Sequence, residues 1–286
     1  MSLDIGDIIT LDIGSIANGG HFIARHNNQI IFVRHSIPGE KANVKITAVN
    51  SKFAFGDAIE ILKKSKDRVE APCKYARPEG CGGCDFQHIK SQAQSILKRT
   101  VIQDQFKRIA KIEVIPELIS TEPSNGLNWR SRLNLSVSEN KNLGLRAYRS
   151  NKIIEVDECL IALKGINDSE IFSKKWDNEN NLKISYSSER DINISQFGKT
   201  VSGSNNLREV VDDNKYEISP QSFWQSHKNA PRLLLEQVIK FANIKKSQKI
   251  CDLYGGVGLF TLPISKLTGE NGEVHLIEMD SICIKD

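Results

Sequence analysis

Lys249-Ile250-Cys251-Asp252-Leu253-Tyr254-Gly255-Gly256-Val257-Gly258 begins the stretch that decides the fold. An apolar run of strand length meets a glycine-rich turn. A helical pattern follows from about Leu259, and Glu273 to Ile277 supplies a second strand that ends at Glu278. That order is β-α-β, the opening of a doubly wound sheet. Glycines at such a turn let a ligand approach the backbone, and an acid after the second strand can accept both hydroxyls of a ribose. A dinucleotide-binding oxidoreductase shares this outline. The turn lacks G-x-G-x-x-G, however, and the Asp252 that leads it favours adenosylmethionine over NAD. A G-x-x-x-x-G-K-S/T stretch is absent, which excludes a P-loop nucleotidase. One βαβ unit cannot bury both faces of its sheet, so the sequence predicts a partial domain whose next helix is under way at Asp286.

Upstream, Ser219-Pro220-Gln221 precedes a helical pattern over about Ser226 to Asn243. The region before it is rich in strands: Leu133 to Val137 alternates strictly, Asn140-Lys141-Asn142 is a turn, and Leu143 to Tyr148 and Ile153 to Val156 follow. The polar stretch from Lys164 to Arg190 has no clear pattern. From Ile89 to Ala110, Ile89, Ala93, Ile96, Leu97, Val101, Phe106, Ile109 and Ala110 recur at helical intervals with Lys90, Lys98, Arg99, Lys107, Arg108 and Lys111 between them, the mark of a basic amphipathic helix. At the N-terminal end, runs at Asp7 to Ile13, His21 to Arg25, Gln29 to Val33 and Ala42 to Val49 are punctuated by Gly19-Gly20 and Pro38-Gly39. About five short strands in some 60 residues close most economically as an OB-like barrel, a fold that commonly binds oligonucleotides.

Composition excludes other classes. The chain has 286 residues, 39% of them hydrophobic and 26% charged, enough for two or three packed domains. Its longest apolar runs fall far short of the roughly 20 residues of a membrane span. Met1 to Asp7 has neither a basic nor an apolar leader region, so the expected location is cytoplasmic, without a membrane or an obligate protein partner. Net charge is +4, yet residues 63–112 carry 12 Lys or Arg against 5 Asp or Glu, an excess of +7 that leaves the remainder acidic. Such a segment suits either a polyanion or a solvated helix face.

Cys73, Cys81 and Cys84 lie as C-x7-C-x2-C, with Gly80, Gly82 and Gly83 allowing the backbone to turn so that thiolates converge. Cys159 can complete a set of four, which suits structural zinc or a 4Fe-4S cluster, and spacing leaves both open.

These residues resemble the 5-methyluridine RNA methyltransferases, in particular the 23S ribosomal RNA uracil-5-methyltransferase type, over essentially the whole chain. Gly14 to Gly20, Phe32-Val33 and Ile37 to Glu40 resemble the TRAM domain, an OB-like RNA-binding module. Pro72-Cys73, Cys81 to His88 and Asp157-Glu158-Cys159 resemble the family's 4Fe-4S ligands, although the spacing from Cys73 to Cys81 is two residues longer than the commonest pattern. Ser219 to Gln225, Asp252 to Gly258 and Glu278 resemble its S-adenosylmethionine site. The resemblance implies a 4Fe-4S cluster on Cys73, Cys81, Cys84 and Cys159, and cofactor contacts from Gln225, Tyr254 and Glu278. It also implies three parts: a TRAM/OB-like domain over 1–62, an iron-sulfur and β-rich domain over 63–217 and a partial Rossmann-like class I methyltransferase domain over 218–286. The helix over 89–111 is expected to pack on the last of these.

The implied reaction is methylation of uridine carbon 5 in RNA. A cysteine thiolate adds to carbon 6, the resulting enolate takes the sulfonium-activated methyl group, and a base removes the carbon 5 proton. The family's nucleophile and base are expected beyond Asp286, so no catalytic residue is assigned and the chain as given is expected to be inactive. Cys251 and Cys283 are expected in core packing, as are His21, His26 and His35 in packing or at the surface. Ribosomal RNA is the implied substrate by analogy, with transfer RNA as the alternative. A non-catalytic iron-sulfur RNA-binding protein and a TRAM-containing radical-adenosylmethionine methylthiotransferase are the rivals, and the C-x3-C-x2-C signature of the latter is absent.

Overall fold

The computed structural model describes residues 3–121, 125–177 and 181–286. Met1 and Ser2, and residues 178–180 within the unassigned polar stretch, lie outside the described residues. The chain divides into two compact units. One holds the residues up to 120 together with 145–154, and the other holds 127–144 and 155–286. The cysteine loop falls with the barrel, and most of the β-rich stretch falls with the C-terminal part.

In the first unit, β1 (Ile8–Asp12), β2 (Phe22–His26), β3 (Gln29–Arg34), β4 (Lys41–Val49) and β5 (Phe53–Lys63) form a sheet in the order β1-β4-β5-β3-β2. The chain after β1 closes the barrel: Gly14 N–H donates to the Ile23 carbonyl, Ile23 N–H donates to Ser15, and Ile16 bridges Phe22. Alternation decides the interior, where Phe22, Ala24, Ile31, Val33, Ala42, Val44, Ile46, Ala54 and Ala58 point inward and are buried. Gly56 is small by necessity, since a Cβ there would stand 2.5 Å from the Val44 side chain.

The predicted basic helix is α1 (Ser91–Gln105), continued by a π-helical turn over Phe106–Ala110. Ala93, Leu97 and Val101 lie against the barrel core, so the helix packs on its own unit. A buried ion pair fixes the connection into it. Arg68 donates Nε and Nη2 to the two carboxylate oxygens of Glu40, each at 2.6 Å, while Glu40 also accepts the N–H groups of Ile37 and Ser65.

The second unit contains β6 (Arg132–Val137), β9 (Leu182–Tyr186), β10 (Ile192–Gln196) and β11 (Lys199–Gly203), paired antiparallel in the order β11-β10-β9-β6, while β7 (Leu143–Arg146) and β8 (Ile153–Glu155) lie at the two ends of the 145–154 segment. A short α2 (Lys164–Asn167) lies in the polar stretch. The hairpin β12 (Leu207–Val211) and β13 (Asn214–Ile218) leads to α3 (Ala230–Ala242), which starts four residues later than expected and has Pro231 in its first turn. Then come β14 (Lys249–Leu253), α4 (Thr261–Thr268), β15 (Glu273–Ile277) and α5 (Ser281–Lys285). β14 and β15 pair parallel, as the βαβ reading requires. Tyr216, Ile218, Trp224, Leu235 and Leu259 form the core that joins this βαβ unit to the hairpin.

No helix among the described residues is long and apolar enough to cross a membrane.

Candidate functional site

The glycine turn sits at the carboxyl ends of β14 and β15, the edge where open α/β sheets bind ligands. Tyr254 has φ of +60°, a left-handed conformation uncommon for a bulky residue, and its side chain is 92% exposed. Gly255 cannot carry a side chain, because a Cβ would stand 2.8 Å from Leu276 Cγ. Gly256 is left-handed at φ of +56° and has open space where a side chain would lie.

Glu278 reaches back across this turn. Its carboxylate accepts the N–H of Gly256 at 2.9 Å, and its other oxygen accepts Met279 at 2.8 Å and Asp280 at 2.9 Å. The N–H groups of Asp280, Gly256 and Met279 hold the carboxyl below its ordinary range. Asp252 accepts the Thr261 hydroxyl at 2.6 Å, which ties the head of the turn to α4.

The segment before α3 approaches the same unit. Phe223 is exposed, Trp224 is buried and Gln225 is half-buried. Trp224 shares its core cluster with Leu259, Val257 and Phe260, so the residue before Gln225 packs on the glycine turn and the start of α4. Asp286 closes the other side by accepting from Ser219 N–H and from the hydroxyls of Ser219 and Ser222 at 2.6 to 2.7 Å. Gln225, Tyr254 and Glu278 thus belong to connected segments of one unit.

In the first unit the cysteine loop is built around Gln87. Its side chain accepts Cys73 N–H at 3.2 Å and donates to Cys84 Sγ at 3.1 Å. Gly83 N–H donates to Cys81 Sγ at 3.3 Å. Gly82 admits the neighbouring strand, since a Cβ would stand 2.7 Å from Tyr148 N. Cys159 lies in the second unit, where its N–H donates to Asn167. Among the described residues, no three His, Cys, Asp or Glu side chains are grouped to hold a metal ion.

Relatives place this architecture. Residues 3–59 match the TRAM domain. An uncharacterised RNA methyltransferase of Streptomyces coelicolor is 31% identical, with 99% of this chain covering 70% of that protein. The chain belongs to the RNA methyltransferase family. A 23S rRNA (uracil(1939)-C(5))-methyltransferase of Shewanella sediminis is 25% identical over 92% of this chain and 69% of its own length. The crystal structure of the Pyrococcus abyssi tRNA (uracil-54, C5)-methyltransferase with S-adenosyl-L-homocysteine superposes with a TM-score of 0.59. It covers 93% of this chain and 79% of that one at 19% identity, a likeness of fold.

One site expectation changes in this methyltransferase. Cys251 is exposed, not packed: Lys249, Cys251 and Leu253 face outward beside His275 and Ile277 on the open face of the two-stranded sheet. Cys283 is buried, as expected. Sequence reasoning also missed a cavity of about 290 Å³ lined by Asn134, Asn181, Lys183, Ser195, Phe197 and Gln221. Burial and the Arg132 guanidinium hold the Lys183 ammonium below its ordinary range, and it donates to the Pro220 carbonyl at 2.7 Å. No local pattern marks this cavity, because its walls come from four separate segments.

Proposed function

We propose that the chain binds S-adenosylmethionine at the carboxyl ends of β14 and β15 and serves methyl transfer to carbon 5 of a uridine in RNA. Ribosomal RNA is the favoured substrate and transfer RNA the alternative. The observation that carries the reading is the Glu278 carboxylate anchored to the Gly256 N–H, which holds an acid beside a glycine turn with open space at Gly256. Glu278 holds the ribose hydroxyls, Tyr254 flanks the ligand, and Gln225 contacts it from the segment before α3. When bound, the cofactor supplies a methyl group activated on a sulfonium.

Cys73, Cys81, Cys84 and Cys159 are the proposed ligands of a 4Fe-4S cluster with a structural role. The support is a glycine-turned loop in which N–H groups already point at two of the sulfurs. The thiolate that attacks carbon 6 is not assigned to Cys251 or Cys283. The first projects from mid-strand and the second is buried.

Titration calorimetry of the full chain with S-adenosylhomocysteine tests the site. One binding event is expected, accompanied by a rise in melting temperature. No heat of binding and an unmoved melting temperature would overturn the assignment.

A further inference from the structure

Gln225 makes no side-chain hydrogen bond among the described residues, so the backbone on either side of it decides where its amide points. That backbone is held by the polar face of the sheet formed by β6, β9 and β10. Leu133, Leu135, Leu182, Ile184 and Ile194 bury one face of these strands. Cross-strand pairing lines the other face with two polar rows, Arg132–Ser185–Asn193 and Asn134–Lys183–Ser195. The rows carry two cations and no carboxylate. Each cation donates instead to a backbone carbonyl of the segment over 219–222: Arg132 Nη1 to Ser222, and Lys183 Nζ to Pro220 at 2.7 Å. Beyond Gln225, the Ser226 carbonyl accepts the N–H of Ser131 at 2.7 Å and its hydroxyl at 3.0 Å. Two consecutive residues, Ser131 and Arg132, therefore grip the chain on both sides of Gln225, while Trp224 packs on Val257 and Leue259 of the glycine turn.

We infer that Arg132 and Lys183 are positioning residues for the cofactor site, holding the segment over 219–226 so that the Gln225 amide meets S-adenosylmethionine. The inference rests on the cofactor reading of Gln225 and adds what orients that residue. Arg132 is 8% exposed, and its Nη2 has no hydrogen-bond partner among the described residues. A buried guanidinium with an unpaired donor adds little stability over an apolar side chain of similar size, so its consequence lies in the direction it imposes on the Ser222 carbonyl. Lys183 keeps its ammonium on Pro220 although burial and then Arg132 lower its pKa, and no carboxylate lines the cavity beside it. The Gln221 amide ties the same segment to the turn between β10 and β11 by donating to the Gly198 carbonyl. The segment cannot shift without breaking hydrogen bonds from charged donors, which are the stronger kind.

Hydrogen exchange of the ligand-free protein and calorimetry with S-adenosylhomocysteine, both on the full chain, test this role. Lys183→Met keeps the long apolar stem at a half-buried position and removes the charge. Its melting temperature is expected to stay near that of the wild type, while amides of 219–226 exchange faster. Adenosylhomocysteine is expected to bind about twofold to thirtyfold more weakly. Lys183→Arg restores both. In a Gln225→Ala background, Lys183→Met adds no further loss, because it acts only through that side chain. Arg132→Lys, which keeps a charged donor but moves it, weakens binding in the same way and shows the same non-additivity. Unchanged exchange over 219–226 overturns the grip. Wild-type affinity in Lys183→Met, or losses that add in the double variant, overturns positioning through Gln225 and leaves Lys183 a contact to some other group. A wild type that binds no adenosylhomocysteine sinks the cofactor reading instead, and the exchange series still decides whether the two cations hold the segment.

Discussion

The Glu278 carboxylate and the Gly256 N–H, 22 residues apart in sequence, meet at 2.9 Å and tie the end of β15 to the glycine turn after β14. The acid that would hold a ribose is therefore already oriented by the backbone it faces, before any ligand arrives. Such preorganisation lowers the cost of binding.

Glu278→Gln keeps the shape and removes the charge. We expect adenosylhomocysteine affinity to fall about tenfold or more, because hydrogen bonds to a charged acceptor are the stronger kind. The carboxyl is held below its ordinary range, so its contribution is complete at neutral pH and above, and is lost only as pH falls through the lowered value. Calorimetry at pH 7 on both proteins, with the wild type repeated in acid, checks both points.

Arg68→Ala strands the fully buried Glu40 carboxylate without its bidentate partner. A loss of about 3–5 kcal/mol is expected in urea denaturation. Glu40→Gln with Arg68→Met, which removes both charges together, loses less.

His35 is buried, and its pKa is pushed down to about 3, by burial first and then by Arg34, His88 and Arg68. The unfolded chain therefore binds a proton that the folded chain refuses. The stability involved is present above the ordinary value of 6.5 and is lost as pH falls from there toward about 3. Between pH 7 and pH 5 this amounts to about 2 kcal/mol. His35→Asn, which tolerates the left-handed backbone at φ of +59°, flattens that part of the profile in denaturant titrations.

Cys84→Ser removes the sulfur to which Gln87 donates. In protein purified without air, the wild type is expected to be brown with bound iron and inorganic sulfide, and the variant to be colourless and less stable. A colourless wild type carrying zinc would replace the cluster by a zinc site.

Much of this was legible in the sequence because the signals are local. Alternation from Leu133 to Val137 places a strand wherever it pairs, and the apolar run into Tyr254-Gly255-Gly256 places a strand and a turn with the acid at Glu278 behind the next strand. Cys73, Cys81 and Cys84 declare themselves by spacing and by the glycines between them.

What the sequence by itself determined, then, is the order of elements, the glycine turn with its acid, the cysteine loop and the resemblance to a family. Tertiary structure alone decided which surfaces those elements share. The α1 stripe is apolar whatever it packs on, and only the fold lays Ala93, Leu97 and Val101 against the barrel. Cys251 sits in an apolar run, yet the open face of β14 and β15 exposes it. Phe32, Phe53 and Phe55 become neighbours only when register aligns β3 with β5, and Arg149 joins them from nearly a hundred residues further along the chain. The physical reason is range: periodicity is set by the geometry of one element, whereas register and packing are set by contacts between residues remote in sequence.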